Sequence, residues 1–105
     1  MAISYHNIDG STATQVELIA VEQGVEQVNS IMITNKASAT ATISLFLQDD
    51  PASGSTSTYR FFVNFSLPIA TTLILDDKNI LSFDNGVYGL YIRCGSSDEL
   101  DVIIG

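Results

Sequence analysis

Tryptophan is absent from this 105-residue chain, and cysteine and histidine occur once each, as Cys94 and His6. A single cysteine cannot close a disulfide within the chain, so the fold has to be held by its core. A single histidine, in a weakly patterned N-terminal stretch, leaves little for nucleophilic catalysis, which needs a nucleophile, a base and an orienting group. Basic residues are scarce as well: 4 Lys and Arg stand against 12 Asp and Glu, a net charge of -8. Such a field repels phosphate backbones and anionic lipid surfaces, so neither nucleic acid nor a membrane is an expected partner. No apolar run approaches the ~20 residues of a membrane-spanning helix, and no segment carries a helical apolar period of useful length. The stretch from Met1 to His6 has neither the basic nor the apolar region of a secretory leader, which points to synthesis in the cytoplasm.

What is present is apolar residue in quantity, 46% of the chain, set in period-two alternation. In Thr40–Gln48 the residues Ala41, Ile43, Leu45 and Leu47 point one way, and Thr40, Thr42, Ser44 and Gln48 the other. Tyr59–Leu67 repeats the pattern, which puts Tyr59, Phe61, Val63, Phe65 and Leu67 on an inner face. Val16, Leu18 and Ala20 alternate, as do Tyr88, Leu90, Ile92 and Cys94, and Leu100, Val102 and Ile104. Val28–Thr34 and Leu73–Asp76 read as more fully buried strands, and Ile80–Phe83 as a short one. Turn residues separate the runs, among them Asn35-Lys36-Ala37-Ser38, Asp84-Asn85-Gly86 and the longest loop, Asp49–Ser55.

About eight short strands at such spacing predict an all-β fold, a single antiparallel β-sandwich or jelly roll. Residues 1–12 read as an N-terminal arm, flexible or ordered on a neighbour, and residues 13–105 as the β-sandwich domain.

The chemistry-bearing residues favour structural roles. Cys94 falls on the apolar phase of its strand, where a free thiol behaves as a small hydrophobe. The pairs Asp49/Asp50, Asp76/Asp77 and Asp98/Glu99 sit at turns without the spacing of a calcium loop and read as solvated turn residues. No catalytic residue, metal site or cofactor is expected. The deviation that asks for a function is a large apolar residue on the otherwise polar phase of several strands: Phe46, Phe62, Tyr91 and Ile103, with Ile19 and Ile74 less clear. Facing water, each would expose apolar area, so these four are candidate protein–protein contacts.

From Ile31 onward the chain resembles small virion structural proteins of tailed bacteriophages. The resemblance is carried by Ile31-Met32-Ile33-Thr34-Asn35, Thr42-Ile43-Ser44-Leu45-Phe46-Leu47, Tyr59 to Phe65, Leu67-Pro68-Ile69 and Thr72-Leu73-Ile74-Leu75. It continues in Tyr88-Gly89-Leu90-Tyr91-Ile92-Arg93 and Leu100-Asp101-Val102-Ile103-Ile104. It implies a non-enzymatic β-sandwich of the virion, made in the host cytoplasm, that decorates or cements a capsid through contacts with other virion proteins and with copies of itself. A neck, tail or baseplate component is the alternative within that class. A carbohydrate-binding or adhesion module is the alternative outside it, weakened by the missing tryptophan.

Overall fold

The computed structural model describes residues 4–25, 27–49 and 57–105. They form eight strands: β1 (Ser4–Asp9), β2 (Gln15–Ile19), β3 (Ile31–Asn35), β4 (Ala41–Asp49), β5 (Thr58–Leu67), β6 (Thr72–Leu75), β7 (Tyr88–Arg93) and β8 (Glu99–Ile104). Among the described residues there is no helix. The strands build two four-stranded sheets, one in the order β1-β8-β3-β6 (sheet A) and one in the order β2-β7-β4-β5 (sheet B). All pairings are antiparallel. The strands pair first with last: β1 with β8, β2 with β7, β3 with β6 and β4 with β5. That is a long hairpin folded at β4–β5 and rolled into two layers, the order of a jelly roll. The expected β-sandwich is thus the observed fold.

The alternation dictates the core. Ile31, Ile33, Leu100, Val102 and Ile104 of sheet A meet Ala41, Ile43, Leu45, Leu90 and Ile92 of sheet B, all essentially without exposure. Burying each large side chain of this set is worth ~1.5–3 kcal/mol. Cys94 joins the same cluster.

Several expectations are corrected. Residues 4–9 are not an arm: Ser4–Asp9 pairs with β8 along its whole length and buries Ile8. As an edge strand, β1 needs only that one fully buried residue, so its alternation is faint. Residues 1–3, and residues 50–56 of the long loop, lie outside the described residues.

Strand β3 begins at Ile31, later than expected. Val28 is still buried, its N–H donating to the Leu81 carbonyl at 3.2 Å. Ile80–Phe83 is no strand, contributing a single bridge from Ser82 to Gln27. Strand β6 is an edge strand with Ile74 exposed, not a fully buried one.

Strand β5 departs furthest from its pattern. Ile43 faces Phe65 and Leu45 faces Phe62, so β5 carries one residue more than β4 between them, and another extra residue lies between Phe62 and Arg60. These are β-bulges, each of which reverses the phase of the residues beyond it. Asn64, inside the first, has φ 51°, a left-handed conformation that asparagine tolerates. Phe62 therefore packs on the core beside Phe61 and Val63 is exposed, while Tyr59 and Phe65 keep the phase of their partners Leu47 and Ile43 yet are exposed on this edge strand.

Buried polar side chains tie the ends of the sandwich. Asn35 donates to the carbonyls of Ala39 (2.9 Å) and Leu67 (3.0 Å) and accepts the Ala37 N–H. Asn85 donates to the carbonyls of Ala20 (2.9 Å) and Tyr88 (3.0 Å) and accepts the Val25 N–H. Asp98 is no solvated turn residue. It is buried, and one carboxylate oxygen accepts the N–H groups of Gly95 (2.6 Å) and Thr42 (3.2 Å). At that node Gly10 passes so close to the Gly95 carbonyl that a Cβ would collide with it.

Candidate functional site

The four residues singled out in the sequence fall in three different environments. Phe46 and Tyr91 are cross-strand partners on the outer face of sheet B, their rings stacked at 5.8 Å. Both are buried within the single chain, at 3% and 9% exposure. Polar side chains from all four strands roof them. Arg93 lies 5.6 Å over the Phe46 ring and donates to Gln15 at 2.6 Å. Gln15 reaches Gln48 in a long contact of 3.5 Å, and Gln48 donates to Thr58 at 3.1 Å. The Tyr91 hydroxyl donates to Glu17 at 3.0 Å. The chain already recovers the apolar area of these two rings, so exposed area no longer argues for them as contact residues. Phe62, turned inward by the bulges, is half-buried and lines a groove.

Ile103 is different. It remains 38% exposed on the outer face of sheet A. Its cross-strand partners are Tyr5 on one side and Met32 on the other, and Met32 in turn faces Ile74. The register thus sets Tyr5, Ile103, Met32 and Ile74 in one row that crosses every strand of the sheet, at 72%, 38%, 37% and 55% exposure. Alongside it runs a polar row of Asn7, Asp101, Thr34 and Thr72. In that row Thr34 and Thr72 share a hydrogen bond of 2.7 Å and Asp101 pairs with Lys36 at 2.9 Å.

The apolar row does not stop at the edge. Ile74 also lines a groove of about 230 Å³ at the open side of the sandwich, between β5 and β6. The groove is walled by Phe61, Phe62, Leu75, Ile80 and Leu81, with Asp76 and Asp77 also in its lining. Ile80 is 63% exposed. A continuous apolar surface therefore runs from Tyr5 across sheet A and over the β6 edge. Sequence reasoning missed Tyr5, Met32 and Ile80. Tyr5 sat in a segment read as an arm, and Met32 and Ile80 in segments read as strands, where apolar residues raise no question.

The titratable groups have structural settings. His6 is half-buried on β1, hydrogen-bonded to Ser4 at 3.1 Å, and burial pushes its imidazole below the ordinary range. Burial, then the carboxylates of Asp98 and Asp9, push the Cys94 thiol up. A catalytic thiol needs the opposite shift. Among the described residues no three His, Cys, Asp or Glu side chains come together as a metal site. No family model, no curated protein and no solved structure matches the chain.

Proposed function

We propose that the chain is a non-enzymatic structural protein of a bacteriophage particle that works through protein–protein contact, first of all as a capsid decoration or cement protein. The observation that carries the contact role is the exposed row Tyr5–Ile103–Met32–Ile74, continuous with the groove at the β6 edge. Apolar surface of this extent on one sheet face, rimmed by threonines and carboxylates, has the make-up of an interface core with a polar rim. The placement in a virion comes from the resemblance of the segments after Ile31, and the jelly-roll order agrees with it at the level of fold alone. A neck, tail or baseplate position would use the same surface.

The test is binding to purified phage shells, with light scattering of the free chain to follow self-association. Ile103→Ser and Met32→Ser should each reduce binding or association about tenfold or more, the equivalent of ~1.5–3 kcal/mol for one apolar side chain, with unchanged thermal unfolding of the free chain. Retention on glycan matrices, with neither shell binding nor self-association, would replace this reading with an adhesion module.

A further inference from the structure

The sequence contains two arginines, and both line one depression of about 220 Å³ on the outer face of sheet B. The register explains the convergence. Arg60 on β5 faces Phe46, and Arg93 on β7 faces Ser44, two residues along on the same phase of β4. Arg93 is held in place by the Phe46 ring beneath it and by Gln15. Arg60 is exposed and makes no hydrogen bond or ion pair among the described residues. The rest of the described lining is neutral: Gln48, Thr58, Asn64 and Val63 accompany Ser44 and Phe46, and no carboxylate is among them. In a chain of net charge -8, two guanidinium groups line one concave site with no acid among its described lining residues to neutralise them.

We propose that this depression binds the carboxylates of an acidic protein segment. Guanidinium groups present planar forks matched to carboxylates, and a pair of them with neighbouring amides and hydroxyls recognises two or more acidic side chains. A peptide fits better than a sugar acid for two reasons. The aromatic ring in the described lining, Phe46, is already covered, so it is not free to stack on a sugar ring. And β5 is the edge strand of sheet B, where an extended segment can lie alongside Arg60 with the exposed Val63 next to it. The site lies on the face opposite the apolar row of sheet A and does not rest on that surface, so the two readings fail separately.

The experiment titrates a hexaglutamate peptide into the full chain, followed by calorimetry and by the arginine side-chain resonances. Hexaglutamine and glucuronate serve as comparators. Hexaglutamate is expected to bind and shift both arginine signals, more weakly as salt is raised, while hexaglutamine does not bind. Arg60→Gln, at an exposed residue with no partner among the described residues to lose, should weaken binding at least about tenfold. Arg60→Lys should fall between, and Ile103→Ser should bind as the unmodified chain does. Absence of hexaglutamate binding, equal binding of hexaglutamine, or unchanged affinity in Arg60→Gln would overturn the proposal. Binding of glucuronate without hexaglutamate would reassign the site to a sugar acid.

Discussion

The two outer faces of the sandwich carry the same kind of residue and treat it in opposite ways. On sheet B, Phe46 and Tyr91 stack flat and are roofed by Arg93, Gln15, Gln48 and Glu17, which leaves them 3% and 9% exposed. On sheet A, Tyr5, Ile103, Met32 and Ile74 form a row with no such roof, and the nearest polar row spends its polar contacts elsewhere, Thr34 with Thr72 and Asp101 with Lys36. The difference lies in the length of the neighbours. Arginine and glutamine reach over an aromatic ring and bring their own polar ends to water, whereas threonine and asparagine cannot. An apolar residue on a solvent-side phase is therefore no sign of an interface by itself. What matters is whether its cross-strand neighbours are long enough to cover it.

The largest expected effect probes the covered face. Phe46→Ala should lower unfolding stability by ~3–5 kcal/mol in a denaturant titration, as for a buried ring. A loss under about 1 kcal/mol would mean that the roof over sheet B is not closed and that the two faces do not differ. Next come the buried amides. Asn85→Ala removes the partner that holds the Val25 N–H and a donor to the carbonyls of Ala20 and Tyr88, and should cost ~1–3 kcal/mol by the same titration. Asn35→Ala should behave alike. Gly10→Ala, which drives a methyl into the Gly95 carbonyl, belongs in the same range, ~1–3 kcal/mol.

The smallest effect is a pH dependence at the β1 edge. Burial holds the His6 imidazole below its ordinary value of 6.5. As pH falls through 6.5 the unfolded chain takes up a proton before the folded one, so stability is full above that value and declines as pH drops towards the folded-state value. His6→Gln should remove this component from the pH dependence of thermal unfolding. A component of opposite sign would place His6 in a different environment.

The legible part of this fold was where one strand face is fully buried. In β4, β7 and β8, alternation from Ala41, Leu90 and Leu100 onward placed Ile43, Leu45, Ile92, Cys94, Val102 and Ile104 inside, and they are inside. The edges were not legible. Strand β1 has one fully buried residue, Ile8, and so too little pattern to be told from an arm. Strand β5 has strong alternation, but two bulges move Phe62 inward and Val63 outward, and a bulge leaves no mark in a hydrophobic pattern. Asn35 and Asn85 stood in turn sequences and read as turn residues, and Asp98 read as a solvated one. Only the packed chain shows that they satisfy buried backbone groups across the two sheets. For the candidate site, the phase of Phe46, Tyr91 and Ile103 was readable, yet what covers each depends on strand order, which brings Arg93 and Gln15 to one face and Tyr5 and Met32 to the other.

The proposed role of sheet A as the bare, contact-making face is tested most directly by carbene footprinting. The chain is labelled across a concentration series and bound to shells, and read residue by residue by mass spectrometry. In the associated form, labelling of Tyr5, Met32, Ile74 and Ile103 should fall sharply, while Phe46 and Tyr91 stay at the low level they have in the free chain. Protection confined to sheet B, or a row on sheet A labelled equally in free and associated chain, would contradict that role.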